Sequence, residues 1–357
     1  MSAEALVQRT SFDAIVAIGD RPAYLAALAA ERLGVPFHSP LAAAAATNKF
    51  AARERFREAG LPVPRYCRIG VNEDAAVAAR TVPYPCVLKP LGLSTSRGVI
   101  RANDAQEFVS AFARIRKLLQ IPSIARLKDP ASEYIQVESF LPGCEFALEG
   151  LVTGGRLQVL ALFDKPDPLD GPYFQETIYV TPSRQPPDVQ QAIRETAQAA
   201  VTALGLQQGP VHAEMRFGEG HVWMLEAAPR PIGGLCSKVL VFKDGAPLEE
   251  VVVRHALGED VSEIRLRAGA SGVMMIPVPR AGIYTSVRGV SKAEAIADEV
   301  IVTAKEGQRI FPLPEGNTYL GFLFAFGEAP GAVENRLRCA HRALQFEIAE
   351  TLPVLSR

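Results

Sequence analysis

Glu214 and Glu226 flank a short turn in the stretch PVHAEMRFGEGHVWMLEAAPRP. The turn, Gly218-Glu219-Gly220, lies between two alternating runs that carry Val, Phe and Trp, a pattern that predicts a tight β-hairpin. Residues equidistant from such a turn face each other with Cβ atoms roughly 5 Å apart. Two carboxylates held that close repel unless a cation lies between them. For oxygen ligands alone, Mg²⁺ meets that need and keeps waters and phosphate oxygens as its other ligands. The two-residue period puts Ala228 and Arg230 on the face of Glu226, with His212 and Arg216 beside Glu214. For this hairpin alone, a solvated surface ribbon with cross-strand ion pairs is the better reading, and the rest of the chain shifts the balance.

The chain has 357 residues, 48% of them hydrophobic, and a formal charge of −1. That is enough for a large core in two or three domains or subdomains. A near-neutral charge gives no support to a nucleic-acid partner. No apolar run approaches the ~20 residues of a membrane helix, and the N-terminus MSAEALVQRTSFD lacks a secretory layout, so a cytoplasmic location is expected. The five cysteines (Cys67, Cys86, Cys144, Cys236, Cys339) are far apart and form no CxxC pair, which argues for reduced thiols rather than disulfides or zinc.

The elements that must position the acids follow from periodicity. FDAIVAIGD (12–20) predicts a buried parallel strand, and PAYLAALAAERLG (22–34) the amphipathic helix after it, closed by Gly34. One further helix is expected from about Leu41 to Ala59. Together these make a fragment of a doubly wound α/β unit. Strands YCRIG, PCVLKP and GVIRA alternate with helices at 73–80 and 104–120, and strands dominate 134–183. A helix at 188–204 leads into the hairpin, and from Gly269 the chain turns β-rich with a last helix at about 330–348. The expected domains are 1–60, 61–135, 136–262 and 263–357.

Lys89, in PCVLKPLGLSTSRGV, ends a strand beside a loop of small residues. Gly92, Ser94, Thr95, Ser96 and Gly98 can bring N–H and hydroxyl groups close to an anion, as phosphate nests do. The loop is neither GxxxxGK[ST] nor GxGxxG. Lys49, in ATNKFAARERF, taken by itself reads as a solvated charge on a helix. In IQVESFLPGCEFALEG, an extended run after Glu138 has backbone groups that could pair with an adenine edge, and Glu145 could accept from ribose hydroxyls. A plain hairpin with exposed acids fits the same letters.

Taken in order, the helix lysine, VLKP with its Gly/Ser loop, VESFLPGCEF, HAEMRF and MLEAAPRPIGG resemble the ATP-grasp superfamily. The chain is similar to its carboxylate–amine ligases, the group that includes bacterial L-amino acid ligases and carnosine synthase. The resemblance extends to GVMMIPVPRAGIYTSVRGV and GNTYLGFLFAFG in the tail. It implies an ATP-grasp fold of α+β subdomains, with a truncated N-terminal α/β piece and a C-terminal β-rich lobe. It implies that Lys49 and Lys89 meet ATP phosphates, that 92–98 covers them, and that Glu138, Phe140 and Leu141 hold adenine. Glu145 would take the ribose, Glu214 and Glu226 the metal, and Arg230 the acyl phosphate. Two departures are visible. Ala228 stands where the family has Asn in Glu-x-Asn-x-Arg, so an Asn restored there is expected to be tolerated, and the N-terminal α/β domain is short.

The implied cofactors are ATP and Mg²⁺, two ions in all, with Mn²⁺ as a substitute. The implied reaction joins a carboxylate to an amine through an acyl phosphate, releasing ADP and phosphate. No protein nucleophile is needed, and His212 is a candidate for positioning the γ-phosphate or the substrate. Gly233 and Gly234 leave room for substrate beside Arg230, and Glu176 in GPYFQETIYVTPS is the candidate for an amino group, with Tyr179 replacing a family histidine. The partners expected are small molecules, an amino acid or other carboxylate and an amine, and a homodimer is allowed. The alternatives are an ATP-grasp carboxylation and a nucleotide-binding protein without turnover.

Overall fold

The computed structural model describes residues 11–350, which form two units, each assembled from three separate stretches of chain. The first unit combines residues up to Pro64 with Leu141–Asp164 and Thr181–Ala268. The second combines Arg65–Phe140, Lys165–Val180 and the residues from Gly269 on. The architecture is mixed helix and sheet with large antiparallel pairings, as the ATP-grasp expectation requires.

The first unit begins with helices α1 (Asp20–Leu33), α2 (Pro40–Thr47) and α3 (Lys49–Glu58). The buried strand expected at 12–20 does not form. Among the described residues, 12–18 pair with no neighbouring strand, and Val16 and Ile18 are exposed while Ala17 is buried. An apolar run becomes a strand only where a partner edge accepts its N–H groups. The single helix expected over 41–59 is two helices, because Asn48 is extended and caps α3, its Oδ1 accepting from Phe50 and Ala51 N–H at 3.1 Å.

The second unit carries strands β1 (Tyr66–Gly70), β2 (Cys86–Pro90), β3 (Ile100–Ala102) and β4 (Tyr134–Ser139), in the order β1-β4-β2-β3. Helix α4 (Ala105–Leu119) covers this sheet with Phe108, Phe112, Ile115 and Leu119, one stripe at helical spacing. Leu88, Ile135 and Val137 meet that stripe, and burial of each large apolar side chain contributes about 2 kcal/mol. The pleat sends their neighbours Lys89, Gln136 and Glu138 to the opposite face. The helix expected at 73–80 is a single turn, Ala75–Ala78, capped by Asp74.

In the first unit, β5 (Cys144–Thr153), β6 (Arg156–Lys165), β8 (Gln208–Gly218) and β9 (His221–Ala228) lie in the order β6-β5-β8-β9. Helix α5 (Pro187–Leu204) packs Ile193, Ala197, Ala200, Val201 and Leu204 against Val211, Ala213, Met215 and Met224. The second unit adds β7 (Ile178–Thr181), β10 (Ala270–Ile276), β12 (Glu299–Val302) and β14 (Gly321–Gly327), in the order β12-β14-β10-β7. It also holds a small sheet of β13 (Arg309–Ile310), β11 (Gly282–Arg288) and β15 (Gln345–Ala349). The last helix, α6, spans Pro330–Ala343, shorter than expected. Residues 345–349 are strand instead, because QFEIA alternates and pairs with β11.

Candidate functional site

The hairpin β8–β9 turns through Glu219 and Gly220, both left-handed at φ 53° and 78°, the signature of a two-residue type I′ turn. From there the register runs Phe217 to Val222, Arg216 to Trp223 and Met215 to Met224. It then shifts, so that Glu214 faces Glu226, with Leu225 the extra residue of a β-bulge. Had the ladder continued unbroken, Glu214 would face Leu225, and Glu226 would point to the packed side with Ala213. The bulge places both acids on one face, leaving Met215, Met224, Ala213 and Ala227 on the core side.

Helix α3 holds that bulge. Arg53, 1% exposed, donates through Nη1 to the Met224 carbonyl at 2.5 Å and through Nη2 to the Leu225 carbonyl at 3.3 Å. One turn earlier on the same helix, Lys49 Nζ lies 4.0 Å from Glu226 Oε2. Sequence reading selected Lys49 and missed Arg53. The signal was there: an arginine four residues on, in KFAARERF, lies on the same helical face as Lys49.

Behind Glu214 a buried relay spans two adjacent strands, β8 and β5. His212 Nε2 is 3.3 Å from Glu214 Oε1, and its Nδ1 is 3.1 Å from Glu149 Oε2 on β5. Burial alone would lower the His212 pKa. Hydrogen bonds to Glu149 and Glu214, with their charges, outweigh it and hold the imidazole up to about 9. The Ile232 N–H donates to both Glu149 oxygens at 3.1 Å, tying the relay to the segment after β9. Glu149 is wholly buried and was not selected from sequence. Its place opposite His212 depends on the β5–β8 register, which a lone acid in EFALEG does not reveal.

Arg230, 8% exposed, donates from Nε to Asp20 Oδ1 at 2.7 Å and from Nη1 to the Pro231 carbonyl at 3.1 Å. Asp20 opens α1, so the first helix contributes to this arrangement. Burial pulls the Arg230 pKa down, but Asp20, Glu226 and Glu214 together keep it above its ordinary range. Gly233 and Gly234 are exposed, and a Cβ at Gly233 would meet nothing within 4 Å. Ala228 is buried and lies directly opposite His212. Glu145 accepts from Arg216 Nε at 2.9 Å, and Arg216 Nη1 donates to the Leu141 carbonyl at 2.6 Å.

In the second unit, Lys89 Nζ donates to Glu138 Oε2 at 2.5 Å, and Gln136 Nε2 donates to Glu138 Oε1 at 2.7 Å. Backbone groups expected to be open after Glu138 are in part engaged. The Ser139 N–H donates to the Arg65 carbonyl, the Phe140 N–H donates to the Pro85 carbonyl, and the Arg101 guanidinium lies 4.1 Å from the Phe140 ring centroid. Ser94 and Thr95 are exposed in the loop before β3, and Thr95 and Ser96 are both left-handed. Glu176, expected to await an amino group, receives Lys165 Nζ at 2.5 Å and the Tyr179 hydroxyl at 2.8 Å on the same oxygen. Lys165, whose side chain is 3% exposed, was not singled out, because a lysine closing RLQVLALFDK reads as a strand end.

Known proteins share the fold and the domains that carry these residues. Residues 82–239 match the ATP-grasp domain family, and residues 274–349 match the L-amino acid ligase C-terminal domain 2. Alanine–anticapsin ligase of Bacillus subtilis strain 168 is 29% identical over 219 residues, covering 58% of this chain and 46% of the relative. D-alanine–D-alanine ligase of Pseudomonas putida strain GB-1 is 25% identical over 210 residues, covering 56% and 60%. The chain thus spans about half the length of the curated relatives it matches. The crystal structure of an L-amino acid ligase from Bacillus licheniformis superposes with a TM-score of 0.83 at 25% identity, covering 98% of this chain and 84% of that one. Among the described residues no helix is long and apolar enough to cross a membrane. By fold and by both matches, this chain carries an ATP-grasp domain and the C-terminal domain found in L-amino acid ligases.

Proposed function

We propose that this protein is an ATP-dependent ligase that joins the carboxylate of one small molecule to the amine of another, amino acids being the favoured class. The observation that carries this reading is Glu214 facing Glu226 across a bulged pair, with Lys49 4.0 Å from Glu226. Two acids on one face with a cation beside them suit a divalent ion that in turn meets phosphate oxygens. Such an ion, Mg²⁺ by preference, would offset the charge of the transferring phosphoryl group.

The roles of the chain's own residues follow from their contacts. Glu214 and Glu226 would hold the ion, and His212, braced by Glu149, would fix the rotamer of Glu214. Lys49 and Lys89 would neutralise phosphate oxygens, and the loop 92–98 would shield them from water. Glu138 holds the Lys89 ammonium, so its part in nucleotide binding would be to aim that lysine. Arg230 would stabilise the negative charge that develops on the acyl phosphate, with Asp20 setting its guanidinium plane. Glu176 would reach an ammonium only in competition with Lys165, which favours a substrate with a different group at that point than a free α-amine.

The relatives named as ligases of alanine and of D-alanine support amide formation, and the L-amino acid ligase C-terminal domain supports it over carboxylation. The test is phosphate release with ATP and Mg²⁺ across pairs of amino acids, with products identified by mass. ATP-dependent amide formation from any pair supports the reading. Hydrolysis indifferent to every carboxylate and amine would remove it.

A further inference from the structure

The loop between β2 and β3 is fastened at one point to a turn more than two hundred residues away. Gly98 donates its N–H to the Pro314 carbonyl at 2.9 Å, and Arg97 Nε donates to the Glu315 carbonyl at 2.8 Å. Both bonds lie within the second unit. The Glu315 side chain turns the other way and takes a two-pronged contact from Arg114 on α4, with Nε to Oε1 at 2.5 Å and Nη2 to Oε2 at 2.8 Å. Arg114 also donates to the Tyr173 hydroxyl. A planar guanidinium on a carboxylate is the stiffest side-chain ion pair available, because two parallel bonds fix its orientation as well as its distance.

The geometry on both sides is restrictive. Thr95 and Ser96 hold left-handed backbone at φ 57° and 53°, conformations that persist only where surrounding contacts impose them. Gly98 is also left-handed, and a Cβ there would meet Pro90 Cγ at 2.7 Å and Leu118 Cδ2 at 2.9 Å. On the opposite side the turn closes on Gly316, where a Cβ would lie 1.9 Å from the Phe311 carbonyl oxygen. Loop and turn are therefore each held in a restricted backbone form where the two hydrogen bonds join them.

We propose that the turn 312–316 is the strut that sets the loop 92–98, and that Glu315 is its positioning residue, anchoring the turn to α4 through Arg114 while its carbonyl holds Arg97. This rests on the reading of 92–98 as the cover of the ATP phosphates, and it gives the C-terminal domain a part in nucleotide binding. In this proposal the strut works on the loop and not on the substrate. It acts by deciding how often the loop is in place.

The test is amide hydrogen exchange of the full chain without nucleotide or metal, read on the peptide spanning 92–99. In Glu315→Ala and Arg97→Met this peptide exchanges at least about tenfold faster than in the wild type. In the control Arg336→Met it does not, because Arg336 pairs with Asp298 and the Ile296 and Phe326 carbonyls instead. Glu315→Gln, which keeps the volume, replaces Glu315→Ala if the latter melts early. In the steady state, KM for ATP rises about tenfold while kcat stays within about threefold. Unchanged exchange in folded Glu315 and Arg97 variants overturns the strut even if the protein is an active ligase. Faster exchange in a protein that binds no ATP sustains the strut and removes the phosphate-cover reading instead.

Discussion

Glu214 faces Glu226 because Leu225 is one residue too many in β9. A two-residue turn alone would have set Glu214 against Leu225 and sent Glu226 to the packed side. The extra residue shifts every later pair by one and reverses its face. The acidic pair is thus a product of a bulge, and the bulge is in turn held by Arg53 from another part of the unit. Like charges placed directly across an antiparallel pair are unfavourable, so a chain that builds a bulge to align them has a use for the alignment.

Glu226→Gln is expected to reduce turnover at saturating Mg²⁺ by at least about a hundredfold while leaving nucleotide affinity within about tenfold. The substitution keeps the size and one acceptor oxygen and removes the charge, so its effect falls on the step where phosphate charge is rearranged. Steady-state kinetics paired with calorimetric titration of nucleotide separates the two. Near wild-type kcat would show that Glu226 holds no metal.

Arg53→Met tests the support of the bulge. It leaves the Met224 and Leu225 carbonyls without their buried donor, and the expected cost is about 2–4 kcal/mol in urea unfolding. The variant should also need more Mg²⁺ for half-maximal activity, because Glu226 is then free to slip out of register. A loss of stability with an unchanged Mg²⁺ requirement would make Arg53 a packing residue only.

What the letters disclosed and what they hid divide along one line. PCVLKP and the extended run before Glu138 read as strands, and the hairpin turn was visible in Gly-Glu-Gly. Quantities that depend on a partner were hidden. The run AIVAI reads as a strand by composition, yet a strand exists only beside an edge that accepts it. Asn48 breaks one apparent helix into two, because its side chain offers α3 two hydrogen bonds that continuing α2 could not match. Glu149 and Lys165 are invisible for the same reason, since their importance lies in His212 and Glu176 across register or sequence gaps.

His38 predicts a pH dependence of stability. It is 1% exposed, contacts the Pro210 carbonyl through Nε2 at 3.2 Å, and has no partner for Nδ1 among the described residues. Burial lowers its pKa from 6.5 to about 4, against the Pro210 contact and with help from His255. The unfolded chain therefore binds a proton near pH 6.5 that the folded chain refuses until about 4. The contribution is fully present above pH 6.5 and is lost as pH falls toward 4, amounting to about 3 kcal/mol. Urea midpoints of wild type and His38→Asn at pH 7.5, 6 and 5 should converge as pH falls. A difference that stays constant across that range would show that His38 titrates normally.

The family pattern leads one to expect that Ala228→Asn is tolerated. The structure argues for the other outcome. Ala228 is 4% exposed and lies directly across from His212, whose ring is already fixed by Glu149 and Glu214. An amide added there meets the imidazole directly opposite it, and overpacking of this kind costs about 1–3 kcal/mol. Displacing His212 would also release Glu214 from its brace. Both stability and kcat should therefore fall together in Ala228→Asn, while Ala228→Ser, one heavy atom larger than Ala, should retain most of both. Urea unfolding and phosphate release on the two variants decide the matter. An Asn variant with full stability and a lower Mg²⁺ requirement would mean that space for a ligand exists beside Glu226 after all.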